Sequence, residues 1–378
     1  MRTPEMQQKW QERWDRIAAA VRHEEPKDRL PVIMQGHIPA ARLVDPEIVP
    51  GDVLSRTDYF LEKAFEGYES LKDIDALNAL SGYGKTSGLA LMCKCKRPGI
   101  EIAATEILQI DEHPYMEYDD YKRILNEGWG AYKGWYMKEK LGLSMQDFAD
   151  GRPWLEKVTA MQEKYGYLQF SGVVHPDGWD QLSAMRGMNH FFRDLRKDPE
   201  LIKAVLKEMC DADMPRYLDT LKQNAETKAS IACMCQPAVR ANCNFVSRET
   251  YEEFVFPYAL KYGNAIIDSG NVVHFHYDSK WDDFLDLYRE FRKDTCIFDC
   301  DEMTDIYRVK KELGDTMAIT GNISAALLAI GSPDEVYNAT VKQIHDIGPA
   351  GYIVTSSCTC PANCKPDNLR ALIAAARG

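Results

Sequence analysis

From Gly166 to its end the chain alternates short apolar runs with amphipathic stretches, and this rhythm restricts the fold more than any other feature. Runs at residues 167–171, 230–235, 272–277, 295–299, 317–321 and 352–355 read as strands. Between and after them, residues 199–223, 248–269, 281–292, 303–313, 333–347 and 367–376 carry apolar side chains at helical spacing. Two earlier runs, residues 30–34 and 73–80, bring the strands to eight. Repeated strand–helix units with right-handed crossovers make a parallel sheet, and eight of them predict a TIM-type (β/α)8 barrel over a doubly wound sheet. Neither G-x-G-x-x-G nor G-x-x-x-x-G-K-[ST] occurs, which removes the main support for NAD or ATP chemistry.

The first half is read as an elaboration of the same unit. Residues 6–23 place Trp10, Trp14, Ile17 and Val21 on one helical face, opened by Thr3 and Pro4 at cap and first-turn positions. Residues 1–28 are thus expected to form an N-terminal helical segment. A helix over 59–71, an extended piece over 99–110 and an aromatic helical tract over 118–137 follow. No Pro-, Gly- or Ser-rich linker interrupts the chain, so residues 1–378 are expected to form one barrel domain, with 81–165 as an insertion or extension within it.

Charge narrows the function. Against 46 Lys and Arg stand 58 Asp and Glu, a formal charge of −12, so the attraction to phosphate that underlies nucleic-acid affinity is missing. No apolar run approaches the roughly 20 residues that cross a bilayer, and the charged start MRTPEMQQKWQERWDR lacks a signal-peptide core. The expectation is a cytoplasmic protein with neither nucleic-acid nor membrane partners. Eleven cysteines, an odd number in a long chain, suit reduced thiols and metal ligation better than a disulfide framework.

Two local patterns carry chemistry. In VVHFHYD, His274 and His276 stand at i and i+2 of a strand and share one face, as two nitrogens for one metal or as a hydrogen-bonded pair inside the barrel. After the eighth strand, SSCTCPANC places Cys358, Cys360 and Cys364 where catalytic groups of this fold gather. His274, His276 and Cys358 together would give three N/S ligands and leave a fourth position open, as in a catalytic zinc site. His37, His175, Asp299, Tyr277, Asp278 and Asn322 follow or end predicted strands. His37, Asp299 and Tyr277 are taken as the candidates for proton transfer, and Cys360, Cys235 and His37 as substitute ligands. The nearest match to the D-x-H-x-x-G corrinoid-holding pattern, Asp111 to Met116, lacks its glycine. G-x-S-x-G and H-E-x-x-H are absent, which removes two hydrolase classes.

The segments IAAAVRHEEPKDRLPV (from Ile17), RGMNHFFRDLRKDPEL (from Arg186) and SRETYEEFVFPY (from Ser247) resemble the uroporphyrinogen decarboxylase superfamily. VVHFHYD, ITGNI and the ending GYIVTSSCTCPANCKPDNLRALIAAAR extend the resemblance. It implies a TIM barrel and one of two activities, decarboxylation or corrinoid-dependent methyl transfer. The decarboxylase branch carries arginines after the first strand for the porphyrinogen's carboxylates; here that place reads IMQGHIP, without an arginine, the next being Arg42.

The methyltransferase branch binds zinc through H-x-C near the fifth strand and a cysteine after the eighth. Residue by residue, His274 matches the histidine, His276 stands at the first cysteine's position, and Cys358 matches the last cysteine. Imidazole in place of thiolate would leave the zinc more positive, which suits polarisation of a methyl ether's oxygen better than activation of a thiol. The resemblance therefore implies transfer of a methyl group from a methyl ether, such as a methoxylated aromatic, to a corrinoid supplied by a separate protein. A methylcobamide-to-thiol methyltransferase, a decarboxylase-like enzyme and a non-catalytic barrel are the alternatives.

Overall fold

The computed structural model describes residues 2–78, 82–236 and 239–377. Its opening helix, Pro4–Val21, begins as the sequence predicts: the Thr3 side chain accepts from Met6 N at 3.3 Å and Pro4 occupies the first turn. The strands are short. In chain order they are β1 (Ile33–Met34), β2 (Ala76–Leu77), β3 (Lys94–Lys96), β4 (Gln109–Asp111), β5 (Leu168–Gln169) and β6 (Val173–Val174). Next come β7 (Cys233–Cys235), β8 (Val273–Tyr277), β9 (Cys296–Cys300), β10 (Ala318–Gly321) and β11 (Tyr352–Ile353).

They form two parallel sheets, β1-β2-β5 and β11-β10-β9-β8-β7-β6, and an antiparallel pair, β3-β4. This mixed α/β arrangement of parallel strands fits a TIM-type barrel. Among the described residues the expected eight-stranded ladder is not one continuous closed sheet. The third strand position is interrupted at Ser171-Gly172, between β5 and β6, and this break separates the two sheets. Isolated backbone bonds link the adjoining edges, Ile231 N to Gln169 O at 2.9 Å on one side and Ile33 N to Val354 O at 3.0 Å on the other.

Strand alternation sorts the apolar side chains into two clusters. One gathers Ile33, Ala76, Leu168, Ile297, Ala318 and Ile353 from six strands, and the helix Pro4–Val21 packs Trp10, Ile17 and Val21 against them. The larger cluster holds the neighbours of opposite parity, such as Phe275, Tyr277 and Phe298, against helices. Two parallel-paired strands, β8 and β9, put His276 directly across from Asp299.

Several expected elements shift. The predicted helix over 248–269 is two, Arg248–Phe254 and Phe256–Asp268, because Pro257 lacks an N–H and disfavours helical geometry in the residue before it. Residues 282–290 wind as a tight 3₁₀ segment, and 99–110 contributes only the start of the short β4. The strand expected over 73–80 is Ala76–Leu77, with residues 79 and 80 outside the described residues, as is residue 81, where the insertion was set to begin. A helix the periodicity did not predict, Met145–Tyr165, starts from a capping box between Ser144 and Asp147. All eleven cysteines are free thiols. Among the described residues, no helix is long and apolar enough to cross a membrane.

Candidate metal centre

His274 and His276 share the inner face of β8, as their spacing requires, and Asp299 reaches both from β9. Asp299 Oδ2 lies 2.6 Å from His276 Nδ1 and 3.1 Å from His274 Nε2. The other ring nitrogen of His274 meets Ser171 Oγ at 2.6 Å, and the ring packs on Phe170. His274 is completely buried. A third, longer contact to Asp299 Oδ2 comes from Gln35 Nε2 at 3.4 Å, while Asp299 Oδ1 is buried without a hydrogen-bond partner among the described residues.

The far side of the His276 ring faces outward. Its Nε2 stands 3.6 Å from Asp278 Oδ1 and 3.9 Å from Cys358 Sγ, and both of these residues are partly exposed. Two groups of donors could thus hold a metal ion: His274, His276 and Asp299, fully buried, and His276, Asp278 and Cys358, nearer the surface. His276 belongs to both.

Burial and charge oppose one another here. Burial weakens protonation of His276, but the charge of Asp299 and its hydrogen bond outweigh it and hold the imidazole well above its ordinary value. His274, deeper, is pulled down by burial despite the same carboxylate. Burial pushes the Asp299 carboxyl up, and the charge of His276 with the two histidine hydrogen bonds pulls it further down, so it remains ionised. Without a metal, His276 and Asp299 are a buried ion pair.

The other sequence candidates separate. Tyr277 is one residue from His276 and so points to the opposite face, where its hydroxyl bonds Tyr288, which in turn bonds Tyr251. The structure therefore does not bring Tyr277 to the histidines. His37 is also outside both groups; it opens the helix His37–Arg42 and its ring lies edge-on to Phe60. Asn322 holds a loop through Asp301 O and Thr304 O. His175 Nδ1 accepts from Gln236 N at 3.2 Å, and burial pushes its pKa down to about 3. Cys235 and Cys360 are buried thiols, the latter in a segment whose backbone N donates to Gln35 O at 2.6 Å. Sequence reasoning did not find Gln35 and Ser171. Both follow from strand ends brought together by pairing, which leaves no local pattern.

Two cavities flank the centre. One, about 730 Å³, includes Asp278 with Arg216, Arg240, Lys133 and Asp180 in its wall. The other, about 470 Å³, is bounded by Gln35, His37, Tyr83, Leu108, Thr359 and Cys360, among others.

Parallel strands with candidate ligands at their C-terminal ends fit a TIM-type barrel. The family model for uroporphyrinogen decarboxylase (URO-D) matches residues 178–378, more than half of the chain, and the chain belongs to that family. Among solved structures it is similar to a methyltransferase from Methanosarcina mazei, with a TM-score of 0.67 and 16% identity over 95% of this chain and 96% of that one. At that identity the likeness speaks for the fold. No curated protein matches the sequence.

Proposed function

We propose that this protein is a zinc-dependent methyltransferase of a corrinoid system, which takes a methyl group from a methyl ether and delivers it to the corrinoid of a separate protein. The observation that carries the reading is the N, O, S donor set of His276 Nε2, Asp278 Oδ1 and Cys358 Sγ at the strand ends, beside two cavities. Ligand atoms of a tetrahedral zinc with bonds of about 2.0–2.3 Å stand roughly 3.3–3.8 Å apart. Of the outer group's distances, 3.6 Å falls within this spacing and 3.9 Å is slightly beyond it, whereas the inner group's 2.6 and 3.1 Å are hydrogen-bond distances. The outer residues would hold the ion, and His274 and Asp299 stand behind it.

Asp299 accepts the Nδ1 proton of His276 and so leaves Nε2 as the ligating atom. Bound zinc would supply Lewis acidity toward the substrate's oxygen. Asp278 and Cys358 bring two negative charges when ionised, enough to neutralise a divalent ion. The more positive His-His-Cys site expected from the sequence does not follow from this arrangement. The case for an ether donor rests instead on the cavity at Gln35, considered below. In the overall reaction the ether's methyl–oxygen bond breaks, the methyl group passes to reduced corrinoid, and the alcohol or phenol departs after taking one proton. For the decarboxylase alternative, the segment after β1 offers Arg42 as its first arginine, and that side chain donates to Ala362 O at 2.9 Å.

The test combines elemental analysis with a single-turnover assay. About one zinc per chain, lost in Cys358→Ala and Asp278→Ala, and consumption of cob(I)alamin in the presence of a methoxylated arene are expected. Wild-type protein that binds no zinc, or that leaves cob(I)alamin unconsumed with every ether offered, overturns the reading.

A further inference from the structure

The cavity of about 470 Å³ shares a wall with the metal centre. Gln35 joins them: its Oε1 accepts from Asn78 Nδ2 at 3.0 Å and its Nε2 approaches Asp299 Oδ2 at 3.4 Å. A ligand seated there would lie against the residue that contacts the carboxylate orienting His276. The segment after β11, immediately beyond Cys358, adjoins this wall and adds Thr359, Cys360, Pro361 and Ala362 to the lining, with Cys360 N donating to Gln35 O at 2.6 Å. The close approach depends on glycine at position 36, where a Cβ would meet Cys360 Cβ at 2.9 Å.

The described residues lining this cavity include no Lys, Arg, Asp or Glu. Ile38, Pro39, Ile107, Leu108, Pro361 and Ala362 make it largely apolar. His37 is one of its lining residues, and the Nε2 of that ring is buried with no hydrogen-bond partner among the described residues. Burial lowers the His37 pKa to about 4, so the ring is neutral at physiological pH. A neutral imidazole nitrogen of this kind contributes one directional hydrogen bond. A carboxylate in the same space would be desolvated without a cation to compensate it, and would face the negative Asp299 behind Gln35.

We infer that this cavity is the subsite for the methyl donor, that it takes an uncharged methoxylated phenol and rejects its carboxylated analogues, and that His37 Nε2 hydrogen-bonds the donor's oxygen. The inference rests on the proposed methyl-transfer reading for the word donor, but its test is a binding measurement. Isothermal titration calorimetry of the full chain with 2-methoxyphenol and with 4-hydroxy-3-methoxybenzoate compares a neutral ligand with its carboxylated counterpart. The neutral compound should bind at least about tenfold more tightly, the factor that 1.4 kcal/mol of uncompensated burial produces. His37→Phe, which keeps a ring against Phe60, should weaken that binding by about tenfold. Leu108→Trp, at the half-buried mouth and remote from the core, should weaken it by narrowing the cavity if His37→Phe fails to fold.

Equal or tighter binding of the benzoate overturns the inference, as does absence of 2-methoxyphenol binding or indifference to both substitutions. Tight, His37-dependent binding without consumption of cob(I)alamin would instead sustain the subsite and remove the enzymatic reading, so the two failures are separable.

Discussion

Asp299 accepts from His276 Nδ1 at 2.6 Å across two parallel strands in which these residues are register partners. The pairing fixes the ring so that its other nitrogen faces Cys358 and Asp278. A neutral acceptor at position 299 would hold the ring less firmly and lower its basicity as a ligand. Asp299→Asn is therefore expected to weaken zinc binding by about 10–100-fold, the usual effect of losing such a partner, as measured by competition with a chromophoric chelator. Unchanged affinity would mean that the carboxylate only stabilises the fold.

The two overlapping donor groups make opposite forecasts for single substitutions. If the ion sits among His276, Asp278 and Cys358, His274→Asn should retain about one zinc per chain, since the amide can still bond Ser171, whereas Cys358→Ala should lose it. If the ion sits among His274, His276 and Asp299, the pattern reverses. Elemental analysis after gel filtration distinguishes them.

The histidine pair was legible because a strand's period of two is local: His274 and His276 must share a face whatever surrounds them. Asp299 was picked out as a strand end and a candidate for proton transfer, but its pairing with His276 was not legible, because that is a matter of register between strands 23 residues apart in sequence. The same limit explains Tyr277, placed near the site by sequence and turned away from it by the pleat. The helix Met145–Tyr165 escaped its periodicity because Gly151 and Pro153 interrupt it and few of its residues are buried. Its Ser144 and Asp147 capping box was the available signal. The strand positions after Gly166 were readable, but the helices Gly178–Arg186, Met188–Lys197 and Ala325–Ile330 were not, and the division of the strands into two sheets depends on a break at Ser171-Gly172 that composition does not mark.

His175 provides a pH dependence away from the metal centre. Its Nδ1 accepts from Gln236 N, which only a neutral ring can do, and burial lowers its pKa to about 3 from an unfolded value near 6.5. Between these values the unfolded chain binds a proton that the folded chain refuses. Stability is fully present above pH 6.5 and is lost as pH falls through this window. From pH 7 to pH 5 the loss from this residue should be about 2 kcal/mol, read from urea midpoints. His175→Asn, which retains an acceptor, should flatten the slope; an unchanged slope would place the acid sensitivity elsewhere.

The last prediction concerns how His37 is held. Gly67, in the helix Thr57–Leu71, lies against the helix that begins at His37, and a Cβ there would stand 1.9 Å from Ala40 O. That obstacle is backbone, so the helices must separate. Helix propensity favours alanine over glycine by about 1 kcal/mol, but overpacking a buried contact costs about 1–3 kcal/mol and often more. Gly67→Ala should therefore lower stability and, by displacing the helix that carries His37, also weaken binding of 2-methoxyphenol. Gly134→Ala is the control: an added methyl there meets nothing within 4 Å, in the helix Trp129–Trp135, so propensity acts alone and stability should rise. Denaturant midpoints of the two variants should move in opposite directions; a shift of both the same way would show that the contact between Gly67 and Ala40 does not constrain the helix bearing His37.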